Sequence, residues 1–289
     1  MVENSNYNIL KESDEFGYEF IVNKFKTVKF GRFRDYIAEI KTFLFFIFLT
    51  KNLQSVSKIK LILIPAKIPN NRTYSFEYKC ESNFNKCRFS ISSKGGLGII
   101  SAKFFEPVVY KFMLYIKGDV FIDIGANVGV YSLLNSQRFK KIISVEPGKT
   151  QRMLLNENIK LNHFSNIEVL STAIGSGKGT IKLYKSKNLV NYSTVQNNEE
   201  YETVKQITLN QLLSPLTHVE LLKIDVEGAE MDVIKGGLQE INKVHFIIIE
   251  VRNSFFGEMV EVLNKIGFKY HILEDRKIGE KNILFINMA

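Results

Sequence analysis

The segment Phe121–Leu134, FIDIGANVGVYSLL, decides the fold. Its apolar start is followed by a glycine-rich turn and then by apolar residues at helical spacing. A strand, a tight turn and a helix in this order form the first unit of an α/β sheet that binds a nucleotide. The sequence therefore predicts that a ligand-binding turn follows Ile124.

Short apolar runs alternate with helical patterns throughout the chain after Asp119. They are Val120–Ile124, Lys141–Glu146, Ile167–Ser171, Glu220–Asp225, His245–Val251, Lys269–Leu273 and Ile283–Ile286. Near-continuous apolar strands separated by helices are typical of a mainly parallel sheet that helices cover on both faces. The last two runs are separated only by EDRKIGEKN, which is too short for a helical crossover, so we expect an antiparallel hairpin there.

The glycine-rich turn favours one class of cofactor. Gly125 and Gly129 let the backbone approach a ligand closely, but Asn127 stands where a dinucleotide-binding turn has its middle glycine. Asp123 precedes the turn and would repel a phosphate. S-adenosylmethionine has a ribose and cationic groups but no phosphate, so it fits this site better than a nicotinamide dinucleotide. A dehydrogenase is the alternative that the missing glycine disfavours.

The next two strands end in residues that complete such a site. Glu146 follows the second strand, where a carboxylate can accept hydrogen bonds from both hydroxyls of a ribose. Thr172 and Ala173 follow the third strand, where an adenine edge would lie. Each residue also has a structural explanation: Asp123 as a helix cap, Glu146 as a solvated strand end, and the third position as an ordinary strand-to-turn junction.

The segment ELLKIDVEGAEMDVIKGG, residues 220–237, places a cluster of carboxylates after the fourth strand. Asp225 and Glu227 are the candidate catalytic residues, because neighbouring carboxylates raise one another's pKa and so favour general-base chemistry. Such a cluster is also compatible with a divalent cation, although no specific metal motif is present and we assign no metal ligands. Glu230 and Asp232 fit the acidic first turn of a helix.

These motifs together resemble the FkbM family of S-adenosylmethionine-dependent methyltransferases. The matching elements, within about residues 100–289, are FIDIGANVGVYSLL, the VEP at 145–147, the STAIG at 171–175, ITLNQLL at 207–213 and LLKIDVEGAEMDVIKG at 221–236. The combination of IDIGANVG with KIDVEGAE is specific, whereas either motif alone would be weak.

The resemblance implies a class I methyltransferase fold, a Rossmann-like, mainly parallel seven-stranded sheet with an antiparallel final strand. It implies methyl transfer to a hydroxyl oxygen of a sugar, a glycan, a lipid-linked acceptor or a secondary metabolite. The cofactor-binding roles of the family carry over to Asp123 and Glu146. By the same resemblance Glu106, in KFFEP, is a candidate for the methionine end of the cofactor.

Composition separates the N-terminal part of the chain from this predicted domain. The 289 residues include 39 basic and 30 acidic side chains, and 45% are hydrophobic, which is ordinary for a globular protein. Residues 1–118 hold 19 basic and 10 acidic side chains, whereas residues 119–289 hold 20 of each, so the whole excess of +9 lies in the first part. We expect a basic α+β extension over residues 1–95 and the cofactor-binding domain over residues 96–289.

Arg32–Leu53 in this extension predicts a helix that is apolar all round in its second half, followed by strands at KIKLILIP and TYSFEYKC. Burial in a core is favoured over a place at a membrane interface. We expect the extension to serve acceptor docking, contact with an anionic membrane surface or subunit contact in a homodimer. A non-catalytic binding module is the alternative function, although the chain has no visible nucleic-acid recognition motif.

The remaining features concern the compartment. No apolar run is long enough to span a bilayer, and the polar N-terminal residues do not form a secretory signal. Two cysteines, Cys80 and Cys87, cannot make a disulfide framework and fit a reducing compartment. We therefore expect a cytoplasmic protein, with peripheral membrane contact through the basic aromatic helix as the variant.

Overall fold

In the computed structural model the chain divides into two units, Met1–Leu97 and Gly98–Ala289. The described residues are 73–78, 87–92, 106, 108–109, 112–113, 116–185, 192–193, 200–276 and 279–288. In the first unit, strand β1 (Thr73–Tyr78) pairs antiparallel with β2 (Cys87–Ser92). The strand predicted at TYSFEYKC is therefore confirmed. The predicted helix at residues 32–53 and the strand at 58–65 lie outside the described residues, and the boundary near residue 95 stays a prediction.

The second unit alternates strands and helices. Its strands are β3 (Gly118–Ile124), β4 (Phe139–Val145), β5 (Ile167–Leu170), β6 (Ala173–Gly175), β7 (Gly179–Lys185), β8 (Tyr192–Ser193), β9 (Tyr201–Thr208), β10 (Val219–Ile224), β11 (Val244–Arg252), β12 (Phe268–Arg276) and β13 (Glu280–Asn287). Its helices are α1 (Val130–Leu134), α2 (Lys149–Leu161), α3 (Leu209–Leu213), α4 (Glu230–Lys235) and α5 (Asn253–Lys265), with a 3₁₀ turn at Ile241–Lys243. Among the described helices, none is long and apolar enough to cross a membrane.

Seven of these strands form the main sheet, in the order β12-β13-β11-β10-β3-β4-β5. The pairs from β11 through β10, β3 and β4 to β5 are parallel, whereas β13 is antiparallel to both β11 and β12. All seven predicted strands and the terminal hairpin are thus confirmed. The class I methyltransferase fold, Rossmann-like with an antiparallel final strand, is confirmed with them.

Side chains that alternate along each central strand enter two separate cores. Ile122, Leu222 and Ile247 pack on one face with residues of α3, α4 and α5. Phe121 and Leu221 pack on the other face, where Tyr131 of α1 and the segment before β3 cover them. Burial on both faces explains why these strands are apolar almost throughout.

A second sheet lies between β5 and β10 in the sequence, with the order β6-β9-β7-β8. β6 pairs parallel with β9, and β7 pairs antiparallel with both β9 and β8. The sequence analysis predicts no strands in this region. Its alternation of polar and apolar residues, as in GTIKLYK (Gly179–Lys185), is that of a half-buried sheet rather than of the fully buried runs around it.

Candidate functional site

The glycine turn after β3 is built where two parallel strands end side by side. Gly125 has a φ of +83°, and a Cβ atom there would lie 1.8 Å from the carbonyl oxygen of Asp225. Only glycine fits such an approach, because the clash is with backbone that cannot move aside. Asn127 (φ 52°) and Gly129 (φ 92°) also adopt left-handed conformations. This turn therefore has a fixed shape that its sequence dictates.

Hydrogen bonds from β4 hold the turn in place. The N–H groups of Gly125 and Ala126 both donate to the carbonyl oxygen of Val145, at 2.9 and 3.1 Å. The N–H of Asn127 donates to Oε2 of Glu146 at 2.9 Å, and the N–H of Gly148 donates to Oε1 at 2.7 Å. Glu146 is therefore a structural anchor of the turn as well as the predicted ribose ligand.

Burial dominates the electrostatics of Glu146. Loss of hydration raises the pKa of its carboxyl group to about 7, although the two backbone N–H groups oppose the shift. Each carboxylate oxygen accepts one of these hydrogen bonds and keeps a second lone pair for a ligand hydroxyl. The residue is 7% exposed, which excludes the solvated strand end as an explanation.

Asp123 lies beneath the turn, with 1% of its surface exposed. Its Oδ2 accepts a hydrogen bond of 2.6 Å from the hydroxyl of Ser132, which also contacts the hydroxyl of Ser144 at 2.7 Å. Its Oδ1 has no hydrogen-bond partner in the part of the chain that the structure describes. Burial raises the pKa of Asp123, and the charge of Lys223 opposes this shift. Gly129, not Asp123, is the N-cap residue of α1.

The opposite wall of the site begins where β10 ends. The N–H of Asp225 donates to the carbonyl oxygen of Ile124 at 3.0 Å, which continues the pairing of the two strands. Oδ2 of Asp225 lies 2.8 Å from Nζ of Lys223, which is almost completely buried. The sequence analysis does not single out Lys223, because one lysine in an apolar run resembles a residue that reaches solvent.

Glu227 follows in a left-handed conformation, with a φ of 57°. Its side chain is exposed. Reduced hydration of the carboxyl group, followed by the negative charge of Asp225, raises its pKa to about 7. Glu230 accepts a hydrogen bond of 2.8 Å from the N–H of Gly228 and opens α4, as the sequence predicts.

The two walls enclose a pocket of about 560 Å³ at the carboxyl ends of β3, β4 and β10. It brings together seven of the ten predicted site residues: Gly125, Asn127, Glu146, Thr172, Ala173, Asp225 and Glu227. Glu106, Asp123 and Gly129 do not line it. In open α/β sheets, ligands bind at this edge.

The second sheet supplies a wall of the pocket that the sequence analysis missed. Ile181, Lys182, Leu183 and Tyr184 of β7 and Gln206 of β9 line the cavity. The hydroxyl of Thr172 donates to the carbonyl oxygen of Lys205 at 2.9 Å, so it ties β9 to the end of β5. The alternation in GTIKLYK is the signal by which this strand is detectable.

Glu106 is buried behind the pocket rather than in its lining. The hydroxyl of Tyr131 donates to its Oε2, and Nδ2 of Asn282 donates to its Oε1 at 3.2 Å. Its role toward a cofactor stays a prediction. Among the described residues, no three His, Cys, Asp or Glu side chains are grouped so that they could hold a metal ion.

A family model and several known proteins match part of this chain. The family model "Methyltransferase FkbM domain" matches residues 123–270. The methyltransferase sdnD of Sordaria araneosa is 29% identical over 40% of this chain and 59% of its own. The hexuronic acid methyltransferase AglP of Haloferax volcanii is 27% identical over 47% of this chain and 56% of its own. The chain thus spans less than two-thirds of the length of each of these relatives.

A solved structure is similar over a comparable extent. The methyltransferase FkbM of Methylobacillus flagellatus matches 67% of this chain and 56% of its own, with 12% identity and a TM-score of 0.43.

Proposed function

Because the chain belongs to the FkbM family of methyltransferases, we propose that it transfers a methyl group from S-adenosylmethionine to a hydroxyl oxygen of an acceptor. The observation that carries the proposal is the pocket, since both sequence motifs of the resemblance, the glycine turn and the acidic segment after β10, line it. The pocket volume of about 560 Å³ lies within the ordinary range for a small-molecule site.

The residues present fit this cofactor. Because Gly125 has no Cβ atom, the glycine turn can lie against the backbone of Asp225, and both residues line the same pocket. Glu146 offers free lone pairs on both carboxylate oxygens, which suits the two hydroxyls of a ribose. Thr172 and Ala173 provide a small, flat surface for the adenine, with Ile181 of β7 beside it.

Charge complementarity supports the same cofactor. Asp225 lines the pocket, and Asp123 lies beneath the turn with one carboxylate oxygen that has no hydrogen-bond partner among the described residues. A cationic ligand is therefore favoured there over a phosphate. When bound, S-adenosylmethionine supplies a methyl group that is already activated by its positively charged sulfur. The protein then contributes mainly by holding the acceptor hydroxyl in line with that group.

Glu227 is the better of the two proposed bases. Oδ2 of Asp225 lies 2.8 Å from the ammonium group of Lys223, so this carboxylate is already engaged in an ion pair. Glu227 is exposed at the pocket, and its pKa of about 7 matches the working pH of a general base. We therefore assign to Glu227 the removal of the proton from the acceptor hydroxyl, and to Asp225 the polar contacts inside the pocket.

One relative supports a proposal for the acceptor class. A hexuronic acid methyltransferase is among them, and sugars offer the hydroxyl groups that this chemistry requires. We propose a sugar or glycan acceptor, with residues 1–95 as the part that docks it. Deletion of residues 1–90 should leave the affinity for S-adenosylhomocysteine unchanged; a collapse of this affinity in a folded chain would contradict the assignment.

The cofactor proposal is tested by isothermal titration calorimetry with S-adenosylhomocysteine. Binding by the native chain and weaker binding by Asp123→Ala are expected. No heat of binding from a folded native chain would refute the proposal. Transfer of radioactive methyl groups from S-adenosylmethionine to a panel of glycosides and uronic acids then tests the acceptor class.

A further inference from the structure

We propose that Lys223 is a positioning residue of the methyl-transfer site, which orients Asp225 in the pocket through a buried ion pair. The inference rests on the proposed function and deepens it, because it assigns a role to a side chain that does not line the pocket. Lys223 is 3% exposed and lies in the middle of the sheet.

The sheet register explains why a lysine is buried there. Lys223 of β10 lies directly opposite Asp123 of β3 on one side and Ile248 of β11 on the other. Leu221, two residues earlier, belongs to the core that Tyr131 covers. An apolar side chain at position 223 would therefore satisfy the packing of this core. A buried ammonium group is tolerated there only because it has charged partners.

Its partners join the pocket to the core behind it. Nζ of Lys223 lies 2.8 Å from Oδ2 of Asp225 and 4.7 Å from the centre of the Tyr131 ring. The hydroxyl of Tyr131 donates to Glu106, which also accepts a hydrogen bond from Asn282. The ammonium group is thus fixed from two sides, and Asp225 is fixed with it.

The charges around Lys223 are mostly negative. Burial by itself would lower its pKa, but the carboxylates of Asp225, Glu106 and Asp123 hold the pKa above its ordinary value. Of these three carboxylates, Asp225 is the one that lines the pocket. An oriented Asp225 presents negative charge to the cationic amino group of the cofactor, which S-adenosylhomocysteine also carries, whereas a rotating one would not.

Calorimetric titration with S-adenosylhomocysteine tests the role. Lys223→Met keeps the length of the side chain without its charge, and we expect it to bind at least about tenfold more weakly than the native chain. Asp225→Asn is expected to weaken binding by a similar factor. Lys223→Arg keeps the charge in a bulkier side chain, and we expect it to bind more tightly than Lys223→Met. Lys265→Met, at an exposed lysine on α5, is the control and should bind like the native chain.

The double variant Lys223→Met/Asp225→Asn separates positioning from a general structural role. If Lys223 acts through Asp225, adding Lys223→Met to Asp225→Asn changes the affinity by less than about twofold, because the two losses are one interaction. The double variant removes both members of the ion pair and so leaves no unpaired charge at position 225, and it provides this comparison even if Lys223→Met does not fold. A further loss of about fivefold or more would overturn the proposal.

The outcomes also separate this inference from the proposed function. If the folded native chain does not bind S-adenosylhomocysteine, the cofactor proposal fails. If the native chain binds and Lys223→Met binds equally well or more tightly, only the positioning role fails.

Discussion

Replacement of Gly125 by alanine tests the geometry of the pocket most severely. The new Cβ atom would lie 1.8 Å from the carbonyl oxygen of Asp225, so the turn and the end of β10 must separate. The left-handed backbone adds about 1–2 kcal/mol for an L-residue. Forced separation of packed backbone adds about 1–3 kcal/mol. We expect Gly125→Ala to lower the free energy of unfolding by about 2–5 kcal/mol in total.

The same substitution should weaken cofactor binding, because Asp225 and the turn both line the pocket. Displacement of such groups by about 1 Å can reduce function about a hundredfold, so the affinity for S-adenosylhomocysteine should fall well beyond tenfold. Urea unfolding and calorimetric titration measure the two effects. Gly177→Ala is the matched control, since a Cβ atom there meets nothing within 4 Å. If Gly125→Ala is as stable as this control, the close approach of the two strands is wrong.

Three further variants test other parts of the site. Ser132→Ala removes the hydroxyl that donates to the buried carboxylate of Asp123 and should destabilise the chain by about 1–3 kcal/mol. Ser136→Ala is the control and should not destabilise the chain in this way, because it removes a buried hydroxyl with no hydrogen-bond partner among the described residues. Equal urea midpoints for the two variants would contradict the prediction. Glu146→Gln should loosen the glycine turn and also remove a pH dependence of stability. Because burial raises the folded pKa of Glu146 to about 7, this group makes the native chain lose stability as the pH rises from about 4.5 to 7, by at most about 1.4 kcal/mol per pH unit. A plot of the free energy of unfolding against pH should therefore be flatter for this variant than for the control Glu168→Gln. Glu227→Gln should bind S-adenosylhomocysteine within about twofold of the native affinity yet transfer methyl groups about 10²–10⁴-fold more slowly. The methyl-transfer rate of the native chain should rise with pH through about 7 as the carboxylate of Glu227 forms. An unchanged rate in the variant would exclude Glu227 as the base.

The strands of the main sheet are predictable from the sequence because burial on both faces requires nearly continuous runs of apolar residues. Runs such as Phe121–Ile124 and His245–Val251 are apolar almost throughout. The glycine turn was equally predictable, since Gly125 is required by a backbone contact that no other residue permits. Seven predicted site residues therefore line one pocket.

The parts that sequence reasoning missed depend on contacts between distant segments. β7 and β9 pair across residues 186–200, and nothing local in KGTIKLYK reveals its partner. Lys223 is buried because the register places Asp123 opposite it, which its own strand does not disclose. Glu106 was assigned by resemblance alone, and its hydrogen bonds to Tyr131 and Asn282 place it behind the pocket.

One measurement tests the central claim most directly, namely that this pocket binds S-adenosylmethionine through the glycine turn and the carboxylates around it. It is the calorimetric titration of the native chain and of Asp225→Asn with S-adenosylhomocysteine. The account predicts a single binding event for the native chain and a large loss of affinity for the variant. No binding by the native chain, or equal affinity in the two proteins, would contradict it.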